Sequence, residues 1–137
     1  MGSAEYTAEQ IHQALNTLNI TNELHEFPDP SMIPTENVIW LICTSTHGAG
    51  DLPDNLQEFA AHITGINSLS AIEYGIVGLG DRSYDTFNQA SKTIDVLLTN
   101  KGAKLIGQRL EIDVLDAELP EDIALAWLPN WLSQISR

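Results

Sequence analysis

The sequence predicts an α/β protein, a doubly wound parallel sheet in a three-layer α/β/α arrangement, from three observations. Segments of helical period alternate with segments of strand period along the chain. Residues 38–43 (VIWLIC) form an unbroken apolar run, as a strand requires when helices cover both its faces. Two glycine-bearing loops, TSTHGAGDLPDN over 44–55 and GLGDRSYDTFN over 78–88, each follow a predicted strand. In such sheets ligands lie outside the carboxyl ends of the strands, so the loops mark where to look.

The elements follow in order. Ala4, Ala8, Ile11, Leu15 and Leu18 recur at helical spacing behind Ser3, a candidate N-cap, and predict a helix over 4–19. Residues 21–27 are a candidate strand, and the three prolines of FPDPSMIPTEN (27–37) leave space for a loop or one short turn. The run 38–43 is expected at the centre of the sheet. Leu56, Phe59, Ala60 and Ile63 follow i, i+3, i+4, i+7 and mark an amphipathic helix. A strand over 72–79 comes next. Phe87, Ala90, Ile94, Leu97 and Leu98 define a helix ended by Gly102, and 105–114 reads as a further strand. The last helix carries Ala124, Trp127, Leu128, Trp131, Leu132 and Ile135 on one face, with a kink or restart expected at Pro129. Trp127 and Trp131 fall among leucines and read as core. The chain opens on a helix, where this fold normally places a strand first, so a first strand reads as missing.

A chain of 137 residues, 43% hydrophobic, suits one domain over 1–137. No apolar run reaches the roughly 20 residues that cross a bilayer, and MGSAEYTAEQ lacks the blocks of a signal peptide. A soluble, cytoplasmic protein is expected. The one cysteine, Cys43, excludes a disulfide framework or a cysteine metal cluster and reads as a reduced core residue. Nineteen acidic against six basic residues give a net charge of −13, which repels nucleic acid and anionic membranes. That charge either steers a basic protein partner or serves solubility alone.

The two loops carry residue types that stack a flat ring and hold a phosphate through backbone N–H groups. Gly48 and Gly50 let the first loop approach a ligand closely; His47 offers a flat side chain, and Thr44, Ser45 and Thr46 offer hydroxyls. In the second loop Gly78 and Gly80 loosen the backbone, and Tyr84 offers an aromatic surface. His12, His25 and His62 share no metal-ligand spacing with a cysteine or carboxylate cluster. Asp51, Asp54, Asp81, Asp85, Asp116, Glu118, Glu121 and Asp122 gather near the carboxyl ends of the strands. They serve as caps and solvation, or lower the reduction potential of a bound cofactor. Arg82 is the one basic residue in either loop. Nothing reads as a catalytic triad or an acid and base pair.

The pattern S-T-H-G-A-G-D-x-P-D-N with G-x-G-D-R-S-Y-D-T-F resembles the short-chain flavodoxins, most closely their MioC-type branch, and also the FMN domains of diflavin reductases. The resemblance covers nearly the whole chain. It implies a flavodoxin-like sheet and FMN as cofactor, with ring contacts at Ser45, Thr46, His47, Gly48, Gly50, Leu79, Gly80, Asp81, Tyr84, Phe87 and Asn88. By the same resemblance Tyr84 is the principal stacking residue, His47 stands where relatives often place a second stacker, and Gly48 turns a carbonyl toward flavin N5 on reduction. Gly2 and Ser3, with Ala4 and Glu5, match only the end of the family's phosphate loop. An upstream start with roughly ten further residues is favoured over a truncation or a vector-derived MGS.

The implied function is electron transfer from a flavodoxin reductase-type donor to an acceptor redox enzyme docking on an acidic face of a monomer, with biotin synthesis a linked pathway. The alternative is a flavin-free interaction module. A receiver-type signalling domain would need a phosphorylatable aspartate after the third strand, where Thr44, Ser45 and Thr46 stand.

Overall fold

The computed structural model describes residues 3–29, 31–46 and 50–135. Four strands, β1 (Ile39–Ser45), β2 (Glu73–Gly80), β3 (Lys104–Leu105) and β4 (Leu110–Asp113), make one sheet in which every pairing is parallel. β2 lies in the middle, with β1 along one side and β3 and β4 in succession along the other. The register sets Cys43 opposite Val77, Ser45 opposite Leu79 and Asp113 opposite Gly80, so the carboxyl ends of three strands finish level.

Helices cover both faces. α1 (Ser3–Thr17) and α4 (Pro120–Ser133) pack on one, and α2 (Asp54–Thr64) and α3 (Gln89–Asn100) on the other. β2 serves both cores by alternation, with Tyr74 and Ile76 in the α2 and α3 core and Val77 and Leu79 in the α1 and α4 core. Both sets are apolar, which is why the sequence shows a run and not an alternation. On the α4 side Gly75 leaves room for the Trp131 indole, and Trp127 stacks on Trp131 with centroids 5.4 Å apart. The tryptophans are core, as their spacing implies. The α/β/α expectation holds.

Five local expectations do not. The run 38–43, expected at the centre, forms β1 at the edge; among the described residues no strand pairs with its outer side. Its residues are mostly half-buried, whereas β2 is buried at every position after Glu73. Residues 21–27 form no strand. Half-buried Asn22 and Leu24 alternate with exposed Thr21, Glu23 and His25, a strand's period without the neighbour that would make it a ladder. The expected strand 105–114 is cut into β3 and β4 at a turn where Gly107 has a φ of +69°, a conformation glycine adopts at least cost. Of the kink or restart expected at Pro129 the restart does not occur, since α4 runs on through the proline, and Ser3 lies inside α1 and is not its cap. Cys43 is a free thiol as expected, half-buried beneath α1 and donating to the Ala4 carbonyl at 3.3 Å; burial pushes its pKa up to about 12.

Candidate functional site

β1 and β2 end side by side, and Thr46, just past β1, is tied by two hydrogen bonds to the end of β2 and the first turn of α3. The Thr46 N–H donates to the Leu79 carbonyl at 3.2 Å, and Thr46 Oγ1 accepts the Ala90 N–H at 3.1 Å at the start of α3. Further along the first loop Gly50, at a φ of +105°, lies against Gln89, so that a Cβ there would come within 3.0 Å of the glutamine side chain. His47, Gly48 and Ala49 lie outside the described residues, as does Gly2.

The second loop is a folded turn. Asp81 Oδ1 accepts the Ser83 N–H at 2.9 Å and the Ser83 hydroxyl at 2.5 Å, and the Tyr84 N–H donates to the Asp81 carbonyl at 3.1 Å. With its backbone turned back in this way the loop projects Tyr84 outward, 63% exposed. An aromatic ring left in water without a partner is a stacking surface on offer.

The two loops enclose a cleft of about 200 Å³ lined by Thr46, Asp81, Tyr84, Thr86 and Phe87. Four of these are residues the sequence singled out; Thr86 is an addition. Enclosed ligand pockets run from roughly 300 Å³ upward, so this cleft is an open groove and not an enclosed pocket.

Other expected ring contacts behave differently. Leu79 is buried in the α1 and α4 core, and its carbonyl is taken by Thr46. Asn88 is fully buried, with left-handed backbone (φ 54°); its Nδ2 donates to the Ile112 carbonyl at 3.4 Å, and Ser91 donates to its carbonyl at 2.8 Å. Its side chain is therefore a structural post under the loop, not a surface facing the cleft. Gly80 sits beside that post, where a Cβ would meet the Asn88 nitrogen at 2.8 Å. Ser45 is half-buried at the end of β1.

Asp113, at the end of β4, escaped the sequence reading because it fell inside a predicted strand. It is 8% exposed, and its Oδ1 accepts the Leu115 N–H at 3.0 Å and the Arg82 N–H at 3.4 Å. A carboxylate at the carboxyl end of a strand, where ligands gather in this class of sheet, was the signal available.

The phosphate end is less complete. Ser3 opens α1, whose N-terminal turn borders a second cleft of about 240 Å³ shared with Thr44, Ser45 and residues 24–27. A helix N-terminus suits an anion. Against this, carboxylate oxygens of Glu5, Glu9 and Glu26 lie within 4.8 Å of one another, and Glu26 is held above its ordinary pKa first by the Glu5 charge. The residues present fit the ring of a flavin better than its phosphate.

Among the described residues no helix is long and apolar enough to cross a membrane. Residues 1–127 match the family model for flavodoxin. Protein MioC of Escherichia coli strain K12 is 41% identical over 134 residues, covering 97% of this chain and 90% of that protein. Flavodoxin YqcA of the same organism is 32% identical over 137 residues, covering 98% and 92%. The sulfite reductase [NADPH] flavoprotein alpha-component of Aliivibrio fischeri is 32% identical over an alignment of 139 positions that covers 98% of this chain and 22% of that protein. Among solved structures, a flavodoxin from Streptococcus pneumoniae superposes with a TM-score of 0.82 at 25% identity, covering 98% of this chain and 93% of the other. A cysteine-to-serine variant of the flavodoxin from Pseudomonas aeruginosa superposes with a TM-score of 0.80 at 28% identity, covering 97% and 91%.

Proposed function

Because this chain belongs to the flavodoxin family, electron-carrier flavoproteins and not enzymes, we propose that it holds FMN at the cleft between Thr46 and Tyr84 and carries electrons between redox proteins. The observation that supports this best is the convergence of Thr46, Asp81, Tyr84 and Phe87 on one open cleft, with the Tyr84 ring presented to solvent.

When bound, FMN supplies the electron-transfer chemistry. The protein's part is to orient the ring and set its surroundings. Tyr84 stacks on one face, with His47 proposed for the other. Thr46 ties the first loop to the end of β2 and the start of α3, and Asp81 shapes the loop that carries Tyr84. Ser3, at the start of α1, and Gly2 are proposed for the phosphate end, with Ser45, Gly48, Gly50, Leu79, Gly80, Phe87 and Asn88 completing the ring site.

Donor and acceptor are read from charge. Asp81, Asp85, Asp116, Glu118, Glu121 and Asp122 lie close in sequence to the exposed apolar side chains Tyr84, Leu115 and Leu119, and a partner with a basic rim would be steered to this acidic stretch. A reductase-type donor and an acceptor redox enzyme, both basic around their own cofactors, fit it. A cytoplasmic monomer of one domain is the form we assign. Electron supply to biotin synthesis rests on the MioC-type resemblance alone, and would be tested by restoring that synthesis in an extract lacking its carrier.

Titration with FMN decides the central point. Quenching of flavin fluorescence with an absorption spectrum shifted from free FMN is the expected outcome; a spectrum unchanged at protein in large excess would leave the flavin-free interaction module as the reading.

A further inference from the structure

Asp113 is nearly buried at the carboxyl end of β4, opposite Gly80, and a lone carboxylate there is costly unless a cation compensates it. Arg82 is that cation. Its Nε lies 3.4 Å from Asp113 Oδ2, its own N–H reaches Oδ1 at 3.4 Å, and its guanidinium stands 5.1 Å from the centroid of the Phe87 ring. Phe87 lines the cleft. Three features thus meet in one residue: it is the one basic residue of either loop, it ties the second loop to the end of β4, and it places a positive charge behind a wall of the ring site. The Val114 N–H bonded to the Gly80 carbonyl at 2.8 Å runs alongside and closes the same seam.

We propose that Arg82 is a potential-setting residue, which clasps the Tyr84-bearing loop to Asp113 and, by cancelling that carboxylate, keeps the reduced form of the bound cofactor from being expelled by the acidic rim. The proposal rests on the FMN reading for its second half only. Reduction of the ring by two electrons and one proton, taken from an external reductant that is itself oxidised by two electrons, leaves one negative charge on the ring. Asp81, Asp85 and an uncompensated Asp113 would all oppose that charge, and the Arg82 guanidinium favours it. A loop arginine that is 70% exposed contributes little to stability by itself, so its place over Phe87 and Asp113 has more to do with the cleft than with the fold.

The test uses Arg82→Gln and Arg82→Lys in the full chain. With FMN bound, equilibrium reduction against a reference dye should show Arg82→Gln favouring oxidised over reduced flavin about tenfold more than the unaltered protein, about 30 mV for the two-electron couple. Arg82→Lys should stay near the unaltered value, and added salt should shrink the difference. A purely structural role would weaken FMN binding without moving the ratio of the two affinities, and equal potentials in all three proteins would overturn the proposal. The clasp is read separately in the flavin-free protein: Arg82→Gln should lose amide-exchange protection at residues 82–87 and at Leu115. Unchanged exchange would overturn it. If the unaltered protein takes up no FMN, the carrier reading fails, and exchange alone decides the clasp.

Discussion

Asn88 packs against Gly78 so closely that a Cβ on the glycine would lie 2.3 Å from the asparagine Oδ1 and 2.6 Å from Ser91 Oγ. The first turn of α3 thus sits directly on the last residues of β2, and the loop between them is held at both ends. Gly78→Ala is expected to destabilise the protein by about 2 kcal/mol, because the atoms it meets are buried and cannot withdraw. A fall in urea midpoint with unchanged slope would show it. A midpoint within error of the unaltered protein would mean the post at Asn88 can move.

Two other glycines differ in the room left for a Cβ. At Gly75 a Cβ would come within 2.6 Å of the Trp131 indole, itself 3% exposed, so Gly75→Ala should cost about 2 kcal/mol and alter tryptophan emission. At Gly65, the C-cap of α2, φ is −86° and the nearest atom to a new Cβ is 3.5 Å away. Gly65→Ala should be neutral or stabilise by up to about 1 kcal/mol. Equal losses at both sites in thermal melts would contradict the packing.

The Tyr74, Asp95 and Arg109 network gives a pH signature. The Tyr74 hydroxyl donates to Asp95 Oδ1 at 2.5 Å and contacts Thr99 Oγ1 at 2.9 Å, while Arg109 pairs with the other carboxylate oxygen. Burial, then the Asp95 bond, pushes the Tyr74 pKa from 10.0 up to about 12. The folded state holds this proton more tightly than the unfolded, so the stabilisation is complete below pH 10 and declines as pH rises from about 10 to 12. Tyr74→Phe should be less stable near neutrality and lose the alkaline slope. Parallel stability curves for the two proteins above pH 10 would reject the assignment.

The sequence showed faces more clearly than neighbours. Leu56, Phe59 and Ile63 on α2, and Leu128 and Trp131 on α4, are buried as their spacing requires, because helical period reports which side meets a core. The run 38–43 reported coverage above and below, and nothing about which strand lies beside it, so an edge strand read as a central one. Residues 21–27 failed for the related reason that a ladder needs a partner. At the site, Thr46, Asp81, Tyr84 and Phe87 were legible because two motifs carried them. Asp113 with Arg82, and Asn88 as a buried post, were not, since each depends on contacts between elements far apart in the chain.

Cys43 offers a probe of the α1 side. Its thiol is held by the Ala4 carbonyl, and burial moves its pKa from 9.0 up to about 12. Near pH 8 the thiolate, which is the reactive form, is scarce in the folded protein. Labelling by a thiol reagent should be at least about 100-fold slower in buffer than in urea, and its rate should follow opening of α1. Labelling at the unfolded rate in buffer would mean that α1 does not cover the thiol.

Tyr84 is the residue on which the carrier reading turns most directly. Among the described residues its ring belongs to neither core, and it is 63% exposed, so Tyr84→Ala should change the unfolding free energy by no more than about 0.5 kcal/mol. Stacking on a flavin would be lost, and FMN affinity should fall about tenfold, or 1.4 kcal/mol. Tyr84→Phe keeps the ring face and should retain most of the affinity. Val96→Ala, at a residue 60% exposed in the middle of α3, is the surface control and should alter neither quantity. An alanine at position 84 that lowers stability and affinity together would make Tyr84 a loop anchor; one that lowers affinity alone makes it a wall of the flavin site, which the open cleft between Thr46 and Tyr84 leads us to expect.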